Sequence, residues 1–448
     1  MSERLSRRAV LRGAAVAGVG LGTACSAPLP GVASPGMMGV PFDKLDAPRF
    51  GFIGLGSRGG VMLPLLLAVP GAKVTALCDV EPDLAKQAAK LVTDAGQPEP
   101  ALYTHGEEDF ENLCARDDVD FVYVATPWSW HVPMALAAMR AGKHVGVECP
   151  LGLTLKELWE LVDTSERTRR HCIQLENCCY GRNELRVLRM AHAGRFGRLL
   201  SGAGAYRHDQ RAQLFSPTFY ANQWRRRFST RYNGDLYPTH GLGPVAAYLD
   251  IHRGDRLVRM TSMSTPALGL AEYRSAHVPP DNPAWQERYV DGDVTMSLIQ
   301  TELGRVIQLE HGISNPHPYS RRNYLAGTRG VFEDFPARIH FEADHDGEEW
   351  APLDDYADHD HWLWSDVGPG PNLPGGHGGM DYLLLWRLVQ CLRLGLSPDI
   401  DVYDSAAWSA PFALSIQSVA KGGAPVPFPD FTRGRWRNPH PGTDSAKP

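Results

Sequence analysis

From residue 49 the chain alternates short apolar runs with amphipathic stretches. Arg49–Ile53, Lys73–Cys78, Asp120–Ala125, Lys143–Glu148 and Cys172–Glu176 read as buried strands. Val61–Val69, Met134–Ala141 and Leu155–Thr168 read as the helices between them. This alternation predicts parallel β-α-β units, which take ligands at the carboxyl ends of their strands. From about residue 181 the pattern changes. After a helix at Glu184–Ala193, the extended stretches Leu200–Arg207, Leu257–Ser264, Val294–Ile299 and Val306–Gly312 follow without such helices between them. They predict a mainly antiparallel sheet, one face against helices and the other open to a ligand. Gly379–Gly395 and Ser405–Lys421 read as two closing helices, and the Pro-rich tail, 437–448, as disordered. There is no internal repeat.

The first apolar run enters Gly54-Leu55-Gly56-Ser57-Arg58-Gly59, a G-x-G-x-x-G turn between strand and helix. Gly54 permits the tight turn, Gly56 lets the backbone approach a pyrophosphate, and Gly59 lets helix pack on strand. The helix N-terminus offers free N–H groups to phosphates. Asp79 follows the second strand, where a carboxylate binds ribose hydroxyls and repels a 2′-phosphate, favouring NAD over NADP. The fold class is therefore α/β: an N-terminal Rossmann dinucleotide-binding domain at 49–180, then a C-terminal α+β domain at 181–436 with a mainly antiparallel open sheet.

The other strand ends carry Thr126-Pro127-Trp128-Ser129-Trp130-His131, Glu148-Cys149-Pro150 and Asn177-Cys178-Cys179-Tyr180, which together predict a nicotinamide pocket. In the second half, Leu236-Tyr237-Pro238-Thr239-His240-Gly241 sets a phenol and an imidazole beside glycines, a setting suited to proton transfer. Tyr206-Arg207-His208-Asp209, Arg225, Tyr319 and His377 add candidates. His340, His345 and His359-Asp360-His361 do not have zinc-ligand spacing, so no metal is expected.

Composition narrows the class. In 448 residues, 43% hydrophobic and 21% charged, a globular core is expected and disorder is excluded. The net charge of −6 argues against nucleic acid as a partner. Eight cysteines are too few for a disulfide scaffold. Residues 1–34 differ from the rest. Arg7-Arg8, a Gly-rich apolar run and small residues near Cys25 predict a twin-arginine signal peptide and linker. The apolar run is too short for a membrane span. Losing 1–34 removes four arginines and Glu3, taking the charge from −6 to −9. Export in the folded state by the twin-arginine machinery, to the periplasm or another extracytoplasmic site, suits a protein that carries its cofactor with it. Cys25 is a candidate lipid anchor, though Gly22 stands where such sites usually carry leucine.

FGFIGLGSRGG, TPWSWH, ENCCYGRNEL, LYPTHGLGPV, GHGGMDY and PFPDFTRGRW together resemble glycoside hydrolase family 109, within the glucose-fructose oxidoreductase and inositol dehydrogenase superfamily. The resemblance runs from about residue 49 to 437. It implies an NAD-dependent hexosaminidase, typically acting on α-N-acetylgalactosamine, with NAD tightly bound and not consumed. The implied mechanism is oxidation at sugar carbon 3, elimination, water addition and reduction, with retention. Dehydrogenases of the superfamily usually carry Glu-Lys-Pro, and Glu148-Cys149-Pro150 lacks that lysine. By motif position the resemblance implies Tyr180, His240 and Tyr319 as catalytic groups, with Tyr180 the base at carbon 2. It implies Tyr206, Arg225, Tyr237, Pro238, Thr239, His240 and Tyr319 as sugar-binding residues. Gly54, Gly56, Ser57, Arg58, Gly59, Asp79, Trp128, Ser129, Trp130, His131, Glu148, Cys149 and Asn177 would bind NAD. The alternative is an NAD(P)-dependent sugar dehydrogenase or sugar–sugar oxidoreductase; a homodimer is left open.

Overall fold

A computed structural model describes residues 36–344, 347–368, 377–438, 440 and 442. The expected signal peptide and linker at 1–34, with Cys25, and most of the tail at 437–448 lie outside the described residues, as does His345. No helix among the described residues is long and apolar enough to cross a membrane.

Six strands form the first sheet: β1 (Arg49–Ile53), β2 (Lys73–Cys78), β3 (Ala101–Tyr103), β4 (Phe121–Val124), β5 (His144–Val147) and β6 (Cys172–Gln174). All their pairings are parallel and the order is β3-β2-β1-β4-β5-β6. Strand order reverses between β1 and β4, where doubly wound sheets open a ligand crevice. Phe121–Val124 and His144–Val147 are buried throughout, as strands covered on both faces must be. The helices are α1 (Ser57–Leu67), α2 (Pro82–Asp94), α3 (Phe110–Cys114), α4 (Trp128–Arg140) and α5 (Leu155–Thr168). The helix expected at Met134 begins at Trp128, so the Trp-Ser-Trp-His segment is its first turn and not a loop. Pro127 caps it, extended at ψ 145°, and has no N–H to waste there.

The second sheet has nine strands, in order β14-β13-β12-β11-β7-β10-β9-β8-β15. They are β7 (Leu199–Arg207), β8 (Leu257–Ser264), β9 (Thr295–Thr301), β10 (Val306–Gly312), β11 (Tyr324–Gly327), β12 (Gly330–Glu333), β13 (Arg338–Phe341), β14 (Ala351–Pro352) and β15 (Val426–Pro427). All neighbours are antiparallel except β7 and β10, which run parallel at the centre. α6 (Arg182–His192) leads into this sheet. The helix Thr239–Tyr248 lies against β7 at a glycine contact: a Cβ on Gly204 would stand 2.0 Å from the Gly241 carbonyl oxygen. Glycine on both elements allows that approach, which sets His240 beside Tyr206, ring centres 5.5 Å apart.

The chain's end returns to the first sheet. The expected helix Ser405–Lys421 is two, Val402–Ser409 and Pro411–Ala420, divided at Pro411, which can donate no backbone hydrogen bond. Ser405 Oγ accepts from the Gln174 amide and Ser409 Oγ from that of Leu151, both at 2.9 Å. In PFPDFTRGRW, Phe431 packs on Trp159 of α5 and Arg435 pairs with Glu166 at 2.8 Å. The motif fastens the end of the second domain onto the first.

Candidate active site

One cavity of about 900 Å³ opens between the two sheets. Its cofactor end is built largely from backbone. Gly54 sits at φ +89°, and a Cβ there would reach within 2.6 Å of the Ala125 carbonyl. A Cβ on Gly59 would stand 1.9 Å from the Gly54 oxygen, so α1 packs this closely only on glycine. A Cβ on Gly56 would meet nothing within 4 Å, and no side chain caps α1 there. Open space before an uncapped helix N-terminus is what a pyrophosphate requires. Asp79 completes the turn by accepting from the Leu55 amide at 2.6 Å and the Glu81 amide at 2.9 Å. The residues present fit a dinucleotide.

Gly54, Gly56, Ser57, Arg58, Asp79, Trp128, Ser129, Trp130, His131, Glu148, Cys149 and Asn177 all line the cavity. Some work through neighbours. Arg58 is anchored by Glu148 at 2.8 Å and twice by Asp381 at 3.0 Å, and Asn177 donates to Asp381 at 2.7 Å. His131 is fully buried, its two nitrogens on the carbonyls of Pro150 and Thr126, so it ties two cofactor loops together. Gly59, Pro238 and Thr239 lie behind the wall. The latter two are buried at the start of the helix that carries His240.

The sugar end is assembled from side chains. His240 Nδ1 lies 2.6 Å from Glu176 Oε1. The fully buried Glu176 also accepts from the Cys178 amide at 3.1 Å and the Cys149 thiol at 3.2 Å. Burial alone would raise this carboxyl; His240 outweighs it and the group is lowered to about 2. A fixed carboxylate on one imidazole nitrogen leaves the other free for proton transfer. Burial, with Glu176 and Glu148, pushes the Cys149 thiol well up, so it stays protonated. Cys149, Glu176 and His240 set a thiol, a carboxylate and an imidazole within 4.8 Å, a juxtaposition spacing could not reveal. Of the histidine-rich stretch considered for a metal, Asp360 is committed to Arg182 and Arg186.

Arg225 is nearly fully buried among Trp128, Tyr206, Tyr220 and Tyr237, its guanidinium carbon 4.8–5.9 Å from their ring centres. One nitrogen donates to the Tyr220 hydroxyl at 2.8 Å, whereas Nε and Nη2 have no hydrogen-bond partner among the described residues. Leaving charged donors unmet is costly, so the site is built for a ligand oxygen. Tyr206, Tyr237 and Tyr319 share this wall. Arg321 donates to the Tyr319 hydroxyl at 3.1 Å.

Tyr180 is the exception among the expected catalytic groups. It does not line the cavity. Its hydroxyl donates to Asp399 at 3.2 Å, in a separate small pocket with Arg387 and Leu384, and Asp399 is itself paired with Arg387 at 2.8 Å. The turn Asn177–Tyr180 is a 3₁₀ helix, which sends Asn177 and Tyr180 to different surroundings. Sequence reading also passed over Asp381, Phe219 and Tyr220. Asp381 lies within GHGGMDY, where a carboxylate four residues after a glycine-flanked His377 is the available signal.

Residues 48–175 match the profile of the oxidoreductase family NAD-binding Rossmann fold, and residues 180–438 match the glycosyl hydrolase 109 C-terminal domain. A glycosyl hydrolase family 109 protein of Saccharopolyspora erythraea is 66% identical over 454 residues, covering 100% of this chain and 98% of its own length. One from Streptomyces niveus is 62% identical, covering 92% of this chain and 83% of its own. Among solved structures, levoglucosan dehydrogenase with NADH and L-sorbose superposes with TM-score 0.64 at 20% identity, covering 86% of this chain and 100% of its own. An inositol dehydrogenase homologue from Azotobacter vinelandii with NADH and myo-inositol gives 0.63 at 19%, covering 88% and 100%. At these identities they share the fold. By its matched domains and full-length relatives, the chain belongs to glycosyl hydrolase family 109.

Proposed function

We propose that this protein hydrolyses terminal N-acetylhexosaminides, foremost α-N-acetylgalactosaminides, by oxidation, elimination, water addition and reduction around a retained NAD. The observation that carries the reading is one cavity holding both the dinucleotide turn and a sugar-sized wall of Arg225 and tyrosines, with His240 fixed by Glu176 between them. Held there, NAD would supply a reversible hydride acceptor for a sugar carbinol carbon. The chain's residues do the rest. Gly54 to Gly59 and Asp79 hold the dinucleotide, and Arg225 offers two donors to sugar or acetamido oxygens. His240 and Tyr319 move the hydroxyl proton at the carbon being oxidised. A carbonyl at carbon 3 makes the neighbouring carbon–hydrogen bond acidic enough for a positioned base. Cys149, a neutral thiol where an ammonium would assist net alcohol oxidation, supports hydrolysis over dehydrogenation.

The dehydrogenase-like fold of the solved neighbours keeps a sugar dehydrogenase as the second reading. Incubation with p-nitrophenyl N-acetyl-α-galactosaminide separates the two: the proposal expects release of nitrophenol with no accumulation of NADH. NADH formation on free sugars without glycoside cleavage would establish the dehydrogenase. Export through Arg7-Arg8 belongs to the same proposal, and conversion of both to lysine is expected to leave the protein in the cytoplasm.

A further inference from the structure

Cys149, Glu176 and His240 come from three parts of the chain: past the end of β5, past the end of β6, and the first turn of the helix Thr239–Tyr248. Among the described residues they are the one group of three or more His, Cys, Asp or Glu side chains whose ligand atoms lie within 4.8 Å of one another. Cys149 and His240 line the cavity, and Glu176 lies fully buried behind them. The surroundings orient this set. The Gln174 side-chain amide donates to Cys149 Sγ at 3.3 Å and to Glu176 Oε2 at 3.4 Å. Gln174 is itself held at Oε1 by the Ser409 hydroxyl at 2.7 Å and the Leu151 amide at 3.2 Å. Thr239 is fully buried against Cys149 and Glu176, and its hydroxyl oxygen makes no well-formed hydrogen bond among the described residues. That idle hydroxyl can donate to a thiolate, a stronger acceptor than the protonated sulfur.

We propose that these three side chains form an inhibitory site for a thiophilic divalent cation, zinc or cadmium. A thiolate, an imidazole and a carboxylate are ligands that zinc takes readily and that magnesium and calcium do not. A tetrahedral edge between such ligands is about 3.4–3.6 Å. Glu176 already stands 2.6 Å from His240 Nδ1 and 3.2 Å from Cys149 Sγ, so shifts of less than about 1 Å admit the ion. On binding, the Cys149 thiol releases its proton to solvent and its sulfur lone pair takes the metal. His240 ligates through Nδ1 and keeps its proton on Nε2. The two positive charges then meet one thiolate and one carboxylate, so the buried assembly is neutral, and no electrons are transferred. Gln174 supplies the outer hydrogen bonds that hold two of the ligands. The fourth position faces the cavity that Cys149 and His240 line. Metal on Nδ1 takes the imidazole away from its carboxylate and stops the proton transfer assigned to it. The site is a brake on the chemistry and not a cofactor site, and binding does not depend on which reaction the cavity performs.

The test uses the full-length enzyme with the nucleotide it carries, in metal-free buffer. Zinc chloride is expected to inhibit cleavage of p-nitrophenyl N-acetyl-α-galactosaminide as a single equivalent binds per chain, with recovery on adding EDTA. Loss of an outer hydrogen bond alone costs a metal site about 10–100-fold in affinity. Cys149→Ser, which removes a ligand, should therefore raise the half-inhibiting zinc concentration about a hundredfold or more, each protein read against its own metal-free rate. Cadmium chloride should produce the ultraviolet absorption of a cadmium–thiolate bond in the unsubstituted enzyme and not in Cys149→Ser. Cys149→Ala repeats both comparisons, so a serine variant that fails to fold leaves them decidable. Equal zinc sensitivity in the cysteine variants, cadmium absorption that survives in them, or no bound zinc at excess metal would overturn the site. Should the nitrophenyl glycoside not be cleaved, the hydrolytic reading fails, while cadmium absorption and zinc stoichiometry still decide the metal site, so the two failures are told apart.

Discussion

The two ends of the cavity are made of different material. The cofactor end is backbone: a turn at φ +89°, an open helix N-terminus, and glycines where side chains would collide. The sugar end is side chain: a guanidinium among four aromatic rings, an imidazole on a buried carboxylate, and phenols from separate strands and loops. Backbone recognition tolerates little substitution but is indifferent to the reaction, as shared folds with different chemistries require. Side-chain recognition carries the reaction. Damage at the two ends should therefore separate cleanly into loss of cofactor and loss of chemistry.

The largest effect is expected at His240. His240→Ala should lower kcat by about 10²–10⁴-fold with NAD still bound, read by turnover alongside released nucleotide. Gly59→Ala should do the reverse, losing NAD through a forced shift of α1 and costing about 1–3 kcal/mol in unfolding free energy by denaturant titration. Arg225→Lys keeps the charge and loses the planar stack, so KM should rise about tenfold with kcat less affected. Tyr180→Phe removes one hydrogen bond to Asp399, worth about 1 kcal/mol, and should keep turnover within about threefold. A Tyr180→Phe loss as deep as that of His240→Ala would mean that the phenol leaves Asp399 for the cavity during turnover.

The smallest effect is on stability against pH. Burial lowers His144 to about 3, His171 to about 4 and His311 to about 3 from a usual 6.5. The folded chain keeps them neutral while the unfolded chain takes up protons first. The three histidines' share of stability should thus be full above about pH 6.5 and fall as pH drops toward those values, while the buried carboxyl of Asp235, raised to about 7, acts in the opposite sense. Glu176, lowered to about 2 from 4.5, adds a further loss only between those two values. Thermal melts from neutral pH downward should show the decline, beginning near pH 6.5 and not near 4.5.

What the sequence revealed divides along the same line. Gly54, Gly56, Gly59 and Asp79 are neighbours in the chain, so their geometry was legible from spacing and the strand before them. The helix expected from Met134 starts six residues earlier, at Trp128, because Trp and His in its first turn hide the helical period, although Pro127 marks its start. Pro411 likewise announced the break between the last two helices. The Arg58–Asp381 contact joins residues 323 apart in sequence, and that of Tyr180 with Asp399 joins residues 219 apart. Neither follows from periodicity, since only the packing of Met380–Leu394 against the Rossmann domain brings the partners together. Resemblance placed Tyr206, Arg225, His240 and Tyr319 at the cavity, and the structure gathers all four there.

The central claim is that a glycosidic bond is broken through transient oxidation of the sugar. Hydrolysis of p-nitrophenyl N-acetyl-α-galactosaminide in deuterated water, with the released sugar examined by NMR, tests it most directly. Deuterium at carbon 2, with no net NADH, is the predicted result. Cleavage that leaves the carbon 2 hydrogen untouched would contradict the account.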